Sequence, residues 1–120
     1  MVESIRACET MTEVRREIDR IDRAIVHLIA ERAGYIAEAA RIKVRESLIR
    51  DEARLEEVIA NVRAEAARAG LEPNIAEAIW RPMVETFIRH EMELFRRKGQ
   101  PRVDRCAPRR GRCRAGRISG

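Results

Sequence analysis

The chain has 120 residues, of which 45% are apolar, 38% are charged and only 3% are aromatic. Few aromatic residues, and little glycine or proline before residue 99, argue against a β-sandwich or barrel and favour helices. No stretch approaches the ~18 apolar residues of a membrane span, and no apolar signal-peptide core stands near the N-terminus, so we expect a cytoplasmic protein. A helical chain this short buries only about two-thirds of its surface alone and would gain from a partner.

The net charge of +5 is unevenly distributed along the chain. Residues 99–120 contain seven arginines and one aspartate, a charge of +6, which leaves −1 for residues 1–98. Composition therefore predicts a helical domain over 1–98 and a basic, disordered tail over 99–120. Cys106 and Cys113 lie in the tail without a nearby histidine, and Cys8 is far away in sequence. This spacing predicts free thiols and no metal site.

The first predicted helix starts at a Thr12 cap and runs to about Glu46 without a proline. One face repeats at alternating steps of three and four residues. Its members are Arg15, Ile18, Asp22, Ile25, Ile29, Arg32, Ile36, Ala39 and Lys43. A helix of roughly 35 residues is about 50 Å long, which exceeds the width of a globule of this size. The pattern therefore predicts a long helix covered by a second subunit.

Two shorter helices are predicted after a break at Ser47–Arg50. Asp51 opens the second helix, and Gly70 ends it. A capping-box pattern at Asn74 starts the third helix, in which Pro82 predicts a kink. The apolar face of the third helix is predicted to run through Ile75, Ile79, Met83, Phe87, Glu91 and Phe95. The expected fold is all-α, with one long and two shorter helices.

Besides Asp22, four ionisable residues fall on these apolar faces, namely Arg15, Arg32, Lys43 and Glu91. Long basic side chains often reach the surface from such positions. The three cations nevertheless outnumber the acids and leave an excess of positive charge on surfaces that should be buried. A small dianion with two carboxylates would balance this charge, each carboxylate being bound by an arginine or a lysine.

The spacing along the first helix limits which cations can share one ligand. Arg32 and Lys43 are eleven residues apart, about 16 Å of helix axis, so their long side chains can reach the same small molecule. Arg15 lies seventeen residues before Arg32, about 25 Å away. If Arg15 belongs to the site, it comes from the other subunit of an antiparallel pair. That condition predicts an intertwined homodimer with two shared active sites.

The residues of the first helix resemble those of the all-helical chorismate mutases. The resemblance rests on Val14-Arg15-x-x-Ile18-Asp19-x-Ile21-Asp22-x-x-Ile25-Val26, followed by Arg32 and Lys43. Three further segments, Cys8-x-x-Met11, Ala40-Arg41-x-Lys43 and Phe87-Ile88-x-x-Glu91, are most similar to the small bacterial branch that contains isochorismate pyruvate lyase. The resemblance covers about residues 8–98 and leaves the basic tail out. It implies intertwined homodimers of three-helix chains that need no cofactor.

The resemblance also implies roles for individual residues. Arg32 and the Arg15 of the second chain would each bind a substrate carboxylate, and Lys43 would bind the ether oxygen of the breaking C–O bond. Glu91, where relatives carry Gln or Glu, would donate a hydrogen bond to the same oxygen. At the start of the second helix, Asp51 and Arg54 match substrate-contacting residues of some mutases. Leu55 stands where certain mutases have an acidic residue, which leaves chorismate mutase and isochorismate pyruvate lyase both open.

Two other classes of function compete with the enzyme. A helical dimer could bind nucleic acid through its arginine-rich tail, and deletion of residues 99–120 would then abolish that binding while leaving mutase activity intact. A purely structural coiled-coil dimer would make the cations of the apolar faces incidental. Of these, the sequence favours a chorismate mutase acting on a small molecule, without a metal, without a membrane partner and without nucleic acid.

Overall fold

The computed structural model describes residues 5–99, and this part of the chain contains three α-helices and no strand. Their bounds are Met11–Ile42 for α1, Glu52–Ala69 for α2 and Pro73–Lys98 for α3, and a 3₁₀ turn, Glu46–Leu48, precedes α2. The predicted all-α class with one long and two shorter helices is confirmed. No helix within 5–99 is long and apolar enough to cross a membrane. The predicted tail, with Cys106 and Cys113, lies outside the described residues apart from Gly99, so its boundary stays a prediction.

The N-terminal cap of α1 is Thr10, and the prediction of Thr12 is wrong. The Oγ1 atom of Thr10 accepts a hydrogen bond from the amide of Glu13 at 3.2 Å. The Glu13 carboxylate in turn accepts from the amide of Glu9 at 2.8 Å. Both threonines are good cap residues, but only Thr10 has an acidic residue three positions later, and this spacing selects it.

The segment between α1 and α2 is longer than the predicted break at Ser47–Arg50. Helix α1 ends at Ile42 and not at about Glu46, and Lys43 is its C-cap residue with extended backbone. The amine of Lys98, at the end of α3, donates hydrogen bonds to the last carbonyls of α1. Because this contact joins residues more than fifty positions apart, the local sequence pattern does not reveal it.

The predicted ends of α2 are confirmed, whereas the start of α3 differs from the prediction. Asp51 caps α2 by accepting a backbone hydrogen bond at 3.0 Å, and Gly70 ends it with a φ of 84°, a left-handed conformation that glycine adopts without strain. Helix α3 is capped by Glu72, whose carboxylate accepts from the amide of Asn74 at 3.3 Å. The prediction of Asn74 as the cap is therefore wrong. Pro73, with its fixed φ and no amide hydrogen, favours the first helical position.

The hydrophobic core lies between α2 and α3. Its buried members are Ile49, Leu55, Ile59, Val84 and Ile88, and Val58, Trp80, Met92 and Phe95 pack against them. The face of α2 that points inward carries Leu55, Ile59 and Ala66, all of which are buried. Helix α3 continues past Pro82 to Lys98, which leaves the predicted kink untested.

The predicted apolar face of α3 is wrong in its first two turns. Ile75 and Ile79 are 50% and 55% exposed, whereas Ala76 and Val84 are buried. The contact with α2 is therefore centred one residue further around α3 than the periodicity suggested. Ile75 and Ile79 lie on a face that the single chain leaves uncovered.

The N-terminal half of α1 extends away from the rest of the chain. Ile18, Ile25 and Leu28 are 52%, 45% and 65% exposed, and Ala40 is the one fully buried residue of this helix. The molecule is 55 Å long with a radius of gyration of 19.0 Å, against about 13 Å for a compact domain of this size. The apolar face predicted for α1 thus contacts α3 only along the C-terminal half of α1.

Candidate active site

A cavity of about 380 Å³ lies where the C-terminal half of α1 faces α2 and α3. Five of the six predicted site residues line it, namely Arg32, Lys43, Asp51, Arg54 and Glu91. Apolar side chains, among them Ile36, Leu55, Phe87 and Ile88, form much of the remaining wall. Arg15 is exposed on the N-terminal half of α1 and does not line this cavity of its own chain.

The guanidinium of Arg32 does not use all of its hydrogen-bond donors within the described residues. Its Nη1 atom is buried and has no hydrogen-bond partner among them. The guanidinium carbon lies 5.3 Å from the centre of the Phe87 ring, a cation–π distance that fixes its position on the cavity wall. Burial, with a smaller contribution from the charge of Arg54, lowers the pKa of Arg32, but an arginine stays protonated at neutral pH. The site therefore holds a fixed cation with an unused donor.

Lys43 and Glu91 form an ion pair inside the cavity. The Nζ atom of Lys43 lies 2.9 Å from Oε2 of Glu91. Glu91 is only 4% exposed, and its burial, expected from the apolar face of α3, is confirmed. Oε2 nevertheless makes no hydrogen bond of acceptable geometry with any described residue. Since an ammonium has three N–H donors, Lys43 can contact Glu91 and a ligand together.

Asp51 and Arg54 lie at the edge of the cavity and have other partners. One oxygen of Asp51 caps α2 through the amide of Arg54. The side chain of Arg54 is 62% exposed and pairs with Glu57 at 3.1 Å. Such an exposed pair contributes little to stability, so a ligand could draw Arg54 away from Glu57 at small cost.

The charge of the lining favours an anion. Three cations, Arg32, Lys43 and Arg54, face two acids, Asp51 and Glu91, which gives a net charge of +1. The unpartnered donor of Arg32 and the apolar walls suit a small molecule that carries carboxylates. Among residues 5–99, no group of three His, Cys, Asp or Glu side chains is arranged to hold a metal ion.

Phe87 has a role in this cavity that the sequence analysis did not assign. It was placed on the apolar face of α3 without a function, but its ring lies under the guanidinium of Arg32 and lines the cavity. A spacing of four residues before Glu91 puts both side chains on one face of α3. That spacing is the signal that could have identified Phe87.

Comparison with known proteins gives two matches. Residues 14–92 match the model of the chorismate mutase type II family. Over 89 residues the chain is 26% identical to isochorismate pyruvate lyase of Pseudomonas aeruginosa, a match that covers 74% of this chain and 88% of the relative. The family match includes Arg15 and every residue that lines the cavity, and the basic tail lies outside it.

Proposed function

Because the chain belongs to the chorismate mutase type II family, we propose that it is an enzyme that rearranges chorismate to prephenate. The unpartnered Nη1 of Arg32, next to the Lys43–Glu91 pair in a largely apolar cavity, is the observation that carries this proposal. Chorismate is a dianion whose two carboxylates flank a breaking ether C–O bond. Its carboxylates need cations, and its ether oxygen needs a hydrogen-bond donor.

In the proposed mechanism the protein holds and polarises the substrate without forming a covalent bond to it. Arg32 binds one carboxylate through its free donor, and Lys43 donates a hydrogen bond to the ether oxygen, where negative charge develops. The apolar wall keeps the enolpyruvyl group folded over the ring, so that the reacting carbons stay close together. The rearrangement is intramolecular and needs neither a nucleophile nor a cofactor.

The second carboxylate is assigned to Arg15 of another copy of the chain. In the proposed intertwined, antiparallel homodimer, the second copy covers the N-terminal half of α1, where Ile18, Ile25 and Leu28 are exposed. Ile75 and Ile79 add to the same uncovered apolar surface. A second copy suits these faces because one chain leaves too much apolar area exposed for a stable long helix.

Isochorismate pyruvate lyase activity is the second candidate. The relative from Pseudomonas aeruginosa carries this name. Leu55, which is 6% exposed and lines the cavity, is apolar where certain mutases carry an acidic residue. Isochorismate has the same two carboxylates and the same kind of ether bond, so the same cations would serve its cleavage to salicylate and pyruvate.

The decisive experiment is to incubate the purified protein separately with chorismate and isochorismate and to identify the products. Prephenate from chorismate supports the mutase, and salicylate with pyruvate from isochorismate supports the lyase. Comparison of the two kcat/KM values decides which is the main activity. The enzyme proposal is wrong if neither substrate reacts.

The proposed role of Glu91 predicts the effect of two substitutions. An ether oxygen only accepts hydrogen bonds, so the side chain at position 91 can assist it only by donating one. Glu91→Gln keeps an N–H donor, so it should retain measurable turnover. Glu91→Ala has no donor and should be much less active.

Measurement of kcat/KM for the wild type and both variants at one pH checks this expectation. An equal loss of activity in Glu91→Gln and Glu91→Ala would show that Glu91 acts by orienting Lys43 and does not donate a hydrogen bond to the substrate.

A further inference from the structure

We propose that Lys98, the last residue of α3, is a positioning residue that fixes Lys43 in the active site. This inference rests on the proposed function, because it assigns Lys98 a part in the reaction that Lys43 would assist. Lys98 does not line the cavity and would act only through Lys43.

The ammonium of Lys98 closes the C-terminal end of α1. Its Nζ atom lies 2.7 Å from the carbonyl oxygen of Ala40, 3.1 Å from that of Arg41 and 2.8 Å from that of Lys43. The last carbonyls of a helix have no partner within the helix, and they form the negative end of its dipole. One cation therefore satisfies two of them, those of Ala40 and Arg41, together with the carbonyl of Lys43 just beyond the helix, and so uses all of its N–H donors. The Phe95 ring, 4.5 Å from Nζ, holds the ammonium from another side.

These contacts and the ion pair with Glu91 hold Lys43 at two points. Lys98 binds the backbone of Lys43, and Glu91 contacts its side-chain nitrogen at 2.9 Å. Glu91 and Lys98 are seven residues apart, two turns along α3, and so lie on the same face of that helix. Helix α3 thus sets the position of the Lys43 ammonium by holding both the backbone and the side-chain nitrogen of Lys43.

Lys43 needs such support because it follows the last helical residue of α1. Its amide still donates to the carbonyl of Ala39 at 2.9 Å, but its own backbone is extended. Without Lys98, the last turn of α1 would fray into the following segment. A catalytic group displaced by about 1 Å can lose on the order of a hundredfold in rate.

A neighbouring ion pair ties the 3₁₀ turn to the same end of α3. The Nε atom of Arg96 lies 3.0 Å from Oε1 of Glu46. Both side chains are exposed, at 61% and 40%, so this pair alone contributes little. The hydrogen bond from Lys98 to Ala40 is partly buried, which makes Lys98 the principal contact.

The first test compares amide hydrogen exchange in the wild type, Lys98→Met and the matched control Arg97→Met. Arg97 carries the same charge on the same helical turn, but its side chain makes no hydrogen bond or ion pair with any described residue. We expect the amide of Lys43 to exchange about tenfold faster in Lys98→Met than in the other two proteins, because hydrogen bonds to a charged group are lost. Equal exchange in all three proteins would overturn the proposal.

The second test measures kcat and KM of the same proteins under conditions where circular dichroism shows full folding. Lys98→Met should lower kcat about tenfold or more with a smaller change in KM. Lys98→Arg, which keeps a cation with several donors, should recover part of the loss. A lower melting temperature with unchanged kcat would overturn the positioning role and leave Lys98 as a helix cap only. Hydrogen exchange needs no substrate, so it tests the contact between Lys98 and the backbone of Lys43 even if the wild type is inactive. An inactive wild type would contradict the proposed function.

Discussion

Arg32→Met is expected to lower kcat/KM by about a hundred- to a thousandfold, the usual penalty for removing one partner of a buried charge pair. In the proposed complex, Arg32 binds a substrate carboxylate inside the cavity. The variant leaves that carboxylate without its cation, because Phe87, the neighbour of the guanidinium, is apolar. Since chorismate carries the carboxylate before and during the rearrangement, we expect most of the loss to appear as a higher KM and a smaller part as a lower kcat.

The same substitution is expected not to destabilise the folded chain. The Nη1 atom of Arg32 is buried without a partner among the described residues, and burial lowers the pKa of the guanidinium, which means that its charge is poorly solvated. Methionine fills a similar volume without a buried charge, so the unfolding free energy should stay within about 1 kcal/mol of the wild type or rise. The lost cation–π contact with Phe87 acts in the opposite direction but is of similar or smaller size.

Arg41→Met is the matched control for both measurements. Arg41 also lies on α1, but its side chain is 66% exposed and, among residues 5–99, pairs only with the nearby Glu38 at 2.7 Å. Its loss should change neither activity nor stability appreciably. Thermal unfolding compares the stability of the two variants, and kcat/KM compares their activity. If Arg32→Met unfolds several degrees below Arg41→Met, Arg32 is a structural residue and its place in the site must be reconsidered.

Mixing two inactive variants, Arg15→Ala and Lys43→Ala, is expected to restore activity. In a hybrid dimer, one of the two shared sites receives Arg15 from one chain and Lys43 from the other, both intact. Random exchange makes half of the dimers hybrids, so about one quarter of all sites should be active. Recovery therefore depends on Arg15 acting across the interface, as proposed, because Arg15 is exposed and does not line the cavity of its own chain.

The control mixture combines Arg32→Ala with Lys43→Ala. Arg32 and Lys43 line the same cavity of one chain, so each site of this hybrid lacks one of them and should stay inactive. Activity after refolding the mixed chains checks both cases, and mass spectrometry of tagged chains establishes that hybrids form. If the Arg15→Ala mixture stays inactive although hybrids are present, Arg15 does not belong to the site.

The three helices and both ends of α2 could be predicted because they depend on contacts between near neighbours. The cap at Asp51 and the left-handed Gly70 are such local features. The start of α3 differs from the prediction because the capping-box partner, Glu77, is bound instead by Arg63 of α2 at 2.8 Å and by Arg81 of α3 at 2.6 Å. A second helix thus competed for the side chain on which the local pattern relied.

For the site, the sequence indicated which residues lie on apolar faces but not how the helices meet. The spacing of Arg32 and Lys43 follows from the helical rise alone, and so does the distance to Arg15. Their convergence with Glu91 depends on how α3 packs against α1 and α2, and in the first two turns of α3 the buried face lies one residue from the predicted one. Side-chain volumes across an interface set that rotation, and periodicity within one helix does not contain this information.

The sequence by itself determined the all-α class, three helices, the excess of cations on the first apolar face and the resemblance to the family that the chain belongs to. Each of these depends on residues within a few turns of one another or on a motif along one helix. Only the tertiary structure decided that α1 ends at Ile42, that Phe87 lies under Arg32 and that Lys98 binds the backbone of Lys43. These three features join residues about fifty positions apart, and their free energy depends on packing that forms only when the helices come together.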